Sequence, residues 1–343
     1  MVVDKKNQDT GGNFFVNLAK TKGPNMDHRD FEWFYIDVHQ ADGHDLVFSL
    51  HTRPFMSQFK ICIFDVFVYF QNRPVFHRFF AFPQKKMIRK NSSIIEINDR
   101  QNLKLKLGLE RSSLEFASEE VQIRLELESN KVKGLPLILD LFGKGTEKSF
   151  QWELFMPRAQ ANGQIVFRNG NQSTEKLAIS GTGYFDSNRG NINLKKELAY
   201  WLWAKIKFED ELWIAGKVKT LPGKFFNVLV KCTDQKVVVD EQANIDFKEQ
   251  TLKIDSVSGN MNLKLNAVKV IDDLRFLVAI WPKMFNFPMK IIEILAGIAV
   301  QKKSLTWLAG ALTNGRYLRK RWLARTGKGD TVEIFGEEMF LNE

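Results

Sequence analysis

Strict alternation of aliphatic with charged or polar residues is the feature that most restricts what this chain can fold into. It is clearest in Lys104-Leu105-Lys106-Leu107-Gly108-Leu109-Glu110 and in Val121-Gln122-Ile123-Arg124-Leu125-Glu126-Leu127-Glu128. A period of two puts the aliphatic side chains on one face of a pleated strand and the charges on the other, as in an antiparallel sheet with one packed face. Turn chemistry punctuates such runs at Asp42-Gly43, Asn98-Asp99, Asn169-Gly170-Asn171 and Ser258-Gly259-Asn260, so the strands are read as hairpins. Helical spacing is confined to one late stretch, which excludes a βαβ architecture. With 343 residues the chain is long enough for two cores. The expectation is a mainly β protein of two consecutive antiparallel barrels or sandwiches, residues 1–195 and 196–343, with short helices near the C-terminus.

That late stretch is also where the charge collects. Of a formal net charge of +10, the region from Lys283 to Lys328 contributes ten Lys and Arg against the single acid Glu293. Between Pro288 and Leu312, Ile291, Leu295, Ile298, Leu305, Leu308 and Leu312 recur at helical spacing. Short amphipathic helices there either pack inward with solvated bases or lie on an anionic membrane, so a peripheral membrane contact through residues 283–325 is carried as an expectation. Trp307, Tyr317 and Trp322 interleave with the bases, yet no helix-turn-helix, zinc or RNP pattern accompanies them, and no nucleic acid is expected. The longest uncharged run, Ser304–Gly315, falls well short of the roughly 20 apolar residues of a membrane span. The polar N-terminal segment lacks an apolar leader core, and the widely spaced Cys62 and Cys232 form neither a metal motif nor a disulfide framework. These features predict a cytoplasmic protein with two buried free thiols.

The densest chemistry lies in Gly181-Thr182-Gly183-Tyr184-Phe185-Asp186-Ser187-Asn188-Arg189-Gly190, a carboxylate, a phenol and a guanidinium between glycines. Ten residues on, Tyr200-Trp201-Leu202-Trp203 sends both tryptophans to one face of a strand. An acid beside an aromatic wall suits an apolar substrate. If Asp186 is buried, desolvation raises its pKa and makes it a general acid; if Arg189 lies within about 4–6 Å, the pair becomes a structural ion pair instead. Asp186 also fits an Asx-turn at a tight corner. All five histidines fall in the first quarter of the chain, and His39, His44 and His51 flank a predicted hairpin, but no close pair with a carboxylate partner supports a metal, and none is expected. His51 and Arg53, ahead of Pro54, are candidates for polar contacts at a cavity mouth. Gly143-Lys144-Gly145-Thr146 lacks the spacing of a phosphate loop, Gly181-x-Gly183 lacks the third glycine of a dinucleotide site, and no serine occupies a G-x-S-x-G elbow. No cofactor is expected.

Taken in order, several motifs resemble the carotenoid 1,2-hydratase (hydroxyneurosporene synthase) and AttH-like superfamily. They are Glu32-Trp33-Phe34-Tyr35, Phe76-His77-Arg78-Phe79, Trp152 ahead of Met156-Pro157-Arg158-Ala159, Gly181 to Asp186, Trp201 and Trp203, and Gly327-Lys328-Gly329 with Val332 to Gly336. Ordered matches from Glu32 to Gly336 cover nearly the whole chain. The resemblance implies two lipocalin-like (calycin-like) β-domains and an activity on long apolar molecules. Members of the superfamily hydrate isolated prenyl double bonds, and similar folds serve prenyl cyclases and enzymes that promote Diels-Alder closures. On an activity of that kind Asp186 is the candidate proton donor with Tyr184 beside it, and Trp33, Tyr35, His51, Arg53, Trp152, Arg189, Trp201 and Trp203 are the candidates around the substrate. Where the family pattern has His and Trp after the acid, this chain has Ser187 and Arg189. Three readings therefore stand: acid-catalysed hydration or cyclisation of an isoprenoid or polyene without a cofactor, a pericyclic closure by confinement, and a non-catalytic binder of a lipophilic ligand. An Asp186–Arg189 ion pair favours the last two, and a separated, buried Asp186 favours the first.

Overall fold

The computed structural model describes residues 30–53, 61–71, 73–90, 93–99, 101–142, 147–169, 172–248, 251–257, 259–275, 316–327 and 329–341. Among these, two barrel-like antiparallel sheets account for nearly everything. The first contains β1 (Phe31–Gln40), β2 (His44–Arg53), β3 (Ile61–Phe70), β4 (Arg73–Pro83), β5 (Met87–Lys90), β6 (Ile94–Asn98), β7 (Asn102–Lys106), β8 (Arg111–Ala117), β9 (Val121–Glu128), β10 (Leu137–Asp140), β11 (Phe150–Asn169) and β12 (Gln172–Gly190). Its hydrogen-bonded order is β4-β3-β2-β1-β12-β11-β9-β8-β7-β6-β5, with β10 added to β11. A one-turn helix, α1 (Leu194–Glu197), whose first turn is capped by the Asn193 side chain, leads into the second sheet. This holds β13 (Leu198–Lys207), β14 (Leu212–Thr220), β15 (Phe225–Cys232), β16 (Val237–Asp240), β17 (Asn244–Lys248), β18 (Thr251–Asp255), β19 (Met261–Arg275), β20 (Arg316–Arg325) and β21 (Thr331–Phe340), ordered β16-β15-β14-β13-β21-β20-β19-β18-β17.

Each sheet wraps a core of its own. Phe34, Ile36, Phe48, Phe64, Ile123 and Phe185 lie in the first, and Leu202, Ile206, Ile254, Trp322 and Ile334 in the second. The alternating β8 and β9 turn their aliphatic face to the first core and their charges to water, as the sequence dictates. In β1, β2, β3, β12 and the start of β11 the second face is covered as well. Tyr35, Val47, Phe67, Tyr69, Trp152 and Tyr184 pack there against Trp203, Ile214, Val230 and Phe335 of the other sheet. This joint between the sheets is a third buried layer. Cys62 and Cys232 are buried and free, and burial pushes both thiols up to about 12.

The helical stretch read between Pro288 and Leu312 lies outside the described residues, and so does most of the basic segment 283–325. Its end differs from the helical reading: residues 316–325 form β20. Period two explains it, since Trp322 and Ala324 point into the second core while Tyr317, Arg319 and Arg321 point into the joint. Arg319 is only 2% exposed, so the charges that looked solvated are partly interior. Among the described residues no helix is long and apolar enough to cross a membrane.

Candidate active site

The pleat decides which side chains meet. In the pairing of β1 with β12, Tyr35 stands opposite Asp186, Asp37 opposite Tyr184 and Trp33 opposite Asn188. Across β11, Trp152 stands opposite Asn188. Odd-numbered residues of β1 and even-numbered residues of β12 therefore share the joint face, and Trp201, Trp203 and Lys205 of β13 close on them from the other sheet. The glycines of the motif serve close packing: a Cβ on Gly183 would meet Leu127 at 2.6 Å, and one on Gly181 would run into the His39 carbonyl.

Asp186 is 4% exposed. Its Oδ2 accepts hydrogen bonds from the Tyr184 hydroxyl at 2.6 Å and from the Trp152 indole N–H at 2.9 Å. Among the described residues, its Oδ1 receives a single long contact, from Asn188 Nδ2 at 3.4 Å. Burial raises the carboxyl to about 7 against the pull of both donors, and the charges of Glu337 and Asp37 push it the same way. With Oδ2 saturated by donors, the proton of the neutral form belongs on Oδ1.

An aromatic wall surrounds this acid. Trp203 lies 5.2 Å from Tyr184 and 5.7 Å from Tyr35, and the two tyrosine rings are 6.2 Å apart. The wall continues to half-buried residues, where Trp33 is 6.3 Å from Trp201 and 5.9 Å from His51. His51 Nε2 is in turn 3.3 Å from the buried Asp65, and Arg53 is 3.9 Å from Asp30 at the strand end. The joint thus brings together Asp186, Tyr184, Trp152, Tyr35, Trp203, Trp33, Trp201 and His51.

Arg189 does not join them. Its guanidinium pairs with Glu153 at 2.6 Å and donates from Nε to Gln151 at 3.0 Å, on the opposite side of β12. Ser187 faces the same way, its hydroxyl 3.3 Å from Glu153. Both departures from the family pattern thus lie on the face of the strand that Asp186 does not use. Strand parity thus separates Arg189 from Asp186, so the ion pair weighed from the sequence does not form, and Arg189 stands apart from the other candidate substrate residues.

A buried charge network, not singled out in the sequence, completes the joint. Lys205 pairs with Asp37; His39 Nε2 lies 3.3 Å from each of them, and its Nδ1 is 2.7 Å from Asp45, which Arg321 reaches at 2.5 Å. Burial works against the Asp37 anion, but Lys205 and His39 hold it below the usual carboxylate range. Burial and Lys205 likewise oppose charge on His39, yet Asp37 and Asp45 raise it above the ordinary imidazole value. On the other flank Tyr35 donates to Glu337 at 2.9 Å, and Arg319 meets Glu337 at 3.1 Å, Tyr317 at 2.9 Å and the hydroxyl of Tyr69. The signal available for these residues was charge at alternate positions in strands whose other positions are apolar, a pattern shared by any strand with a wet face.

No protein-family model matches the chain, and no curated protein matches it in sequence. Solved structures do match. CghA aligns at TM-score 0.60 with 8% identity, over 92% of this chain and 89% of that one, and CghA with Sch210972 does so at 0.59 with the same identity and coverage. A putative AttH (NE1406) from Nitrosomonas europaea aligns at 0.55 with 12% identity, over 91% and 92%. The chain has the AttH-like fold. At such identities the likeness concerns the path of the backbone, and the AttH-like fold agrees with the ordered motifs from Glu32 to Gly336.

Proposed function

We propose that the protein is a cofactor-independent enzyme that uses Asp186 to protonate a lipophilic isoprenoid or polyene held against the aromatic wall, hydrating or cyclising it. The observation that carries this reading is a buried carboxyl raised to about 7 and separated from Arg189, which is bonded to Glu153. The Asp186 proton, placed on Oδ1, forms a C–H bond as the π bond of an isolated alkene breaks. The tertiary cation left on the neighbouring carbon faces the rings of Trp203, Tyr184 and Tyr35, each worth on the order of 0.5–2 kcal/mol to it. Water then adds its oxygen and gives up a proton, or an internal alkene attacks and a ring C–H is lost; either proton restores Asp186. Trp33, Trp201 and His51, half-buried, form the end of the wall through which a substrate enters. Acting in the cytoplasm, such an enzyme meets its substrate at a membrane surface.

One observation favours the pericyclic reading as an alternative. Lys205 Nζ lies 4.7 Å from the Tyr184 ring centroid and 5.5 Å from that of Trp203, so an ammonium already uses the faces a carbocation needs. In this reading neutral Asp186 donates a hydrogen bond to a substrate carbonyl without transferring its proton, and closure proceeds by confinement. CghA, of the same fold, was solved with Sch210972.

Mass spectrometry of lipids extracted from the native protein and from Asp186→Asn tests the choice. Acid catalysis predicts a product heavier by one water, or a cyclised isomer, on the wild type, unreacted precursor on the variant, and turnover lower by about 10²–10⁴-fold. The same unchanged molecule on both proteins contradicts it.

A further inference from the structure

The hairpin joining β14 to β15 carries the strongest feature that the active-site account leaves unused. Residues 221–225, Leu-Pro-Gly-Lys-Phe, are exposed without interruption, with Leu221 at 45% and Phe225 at 49%. Pro222 and Gly223, the latter with φ +93°, close a tight tip. Lys217, Lys219, Lys224 and Lys231 are the charged residues between positions 212 and 232, and no acid occurs there. Three of them gather around the rings at the tip: Lys217 and Lys219 lie 5.1 and 5.6 Å from the Phe225 centroid, and Lys224 lies 4.6 Å from that of Phe226. Lys217 Nζ is also bonded to the Ile245 carbonyl at 2.6 Å, and Lys231 lies over Trp213 at the far end of the strands, so Lys219 and Lys224 form the collar at the tip. The tip is tied to α1 by the Leu221 N–H on the Glu197 carbonyl at 2.9 Å, beside the exposed Lys196, and the Glu197 carboxylate is paired with Lys148 at 2.8 Å.

We propose that this hairpin docks the protein on an anionic lipid surface, with Leu221 and Phe225 inserted among the headgroups and the lysine collar against the phosphates. An apolar tip ringed by bases matches the layering of a bilayer interface, where each lysine near an anionic surface is worth about 1 kcal/mol. A tip of five residues falls far short of the roughly 800 Å² per partner of a stable protein interface, which sets lipid ahead of a protein partner. Its position adds an argument. Val218 and Phe226, at the base of the hairpin, pack in one apolar cluster with Phe31, Phe150, Trp33 and Trp201. Those last two form the half-buried end of the candidate active site, so docking sets that end beside the membrane; this part of the inference rests on the lipophilic-substrate reading. In sequence the hairpin is distinct from the basic segment 283–325.

Co-sedimentation of the full chain with vesicles of phosphatidylcholine, alone or mixed with phosphatidylserine, tests the proposal. Wild type is expected to bind the mixed vesicles selectively and to release as salt is raised. Lys219→Ala and Lys224→Ala should each weaken binding about fivefold. Leu221→Ser with Phe225→Ser should remove most binding while leaving the thermal unfolding midpoint in place, since both side chains are exposed. Failure of the wild type to bind, equal binding to neutral vesicles, or hairpin variants that bind like wild type would each overturn it. So would a dimer that dissociates with Leu221→Ser and Phe225→Ser in a protein that ignores vesicles, which assigns the tip to a second copy. Vesicle binding requires no turnover, so this proposal and the acid chemistry at Asp186 can fail independently.

Discussion

Asp186 and Arg189 are three positions apart on one strand, and an odd separation sends two side chains to opposite sides of a sheet. That parity is why the guanidinium, so close in sequence, spends its charge on Glu153 and leaves Asp186 to the effect of burial. Every hydrogen bond to Asp186 comes from a donor, and a donor favours the anion. Tyr184→Phe removes the donor at 2.6 Å and should raise the Asp186 pKa above about 7, so the alkaline limb of any activity it supports moves to higher pH. A pH titration of the variant checks this, and an unmoved limb would mean that the phenol only packs. The acid, the phenol and the paired tryptophans were legible in the sequence because one strand fixes the faces of its own residues. Trp152 as a donor to Asp186 was not, since that contact depends on the register of β11 against β12 across 34 positions.

At the scale of the element, β1 shows why a sequence hides a joint. Its residues Phe34, Ile36 and Val38 fill the first core, while Trp33, Tyr35, Asp37 and His39 alternate with them as they would on a wet face. Charges at alternate positions look the same whether water or a second sheet covers them, and only the partner strand β13 decides. Asp37 and Lys205 are both buried, with side chains 0% and 7% exposed. Removing one partner of such a pair strands a charge, so Lys205→Met should cost about 3–5 kcal/mol in a denaturant titration. Asp37→Leu combined with Lys205→Met should recover much of that loss, because an apolar replacement of both ions is often nearly neutral. A double variant no better than the single would show that the pair is not a unit.

For the whole molecule, hairpin signals and alternation were enough to expect two consecutive antiparallel barrels or sandwiches, and the two sheets divide between β12 and β13. What they did not specify was the orientation of one sheet on the other, which assembles the site from β1, β11, β12, β13, β20 and β21. That assembly holds a carboxyl whose pKa, about 7, stands well above the ordinary carboxylate value. Folding therefore takes up a proton between these values. The resulting stability is complete below about pH 4 and is lost as pH rises through about 7, and Asp186→Asn should lack this dependence. The most direct measurement is the infrared difference spectrum between wild type and Asp186→Asn, titrated from acid to alkaline pH. A protonated carboxyl band present in the wild type and lost with a midpoint near 7 is the predicted result. A band lost with a midpoint near 4 would mean that Asp186 is an ordinary anion at neutral pH, and would contradict the account.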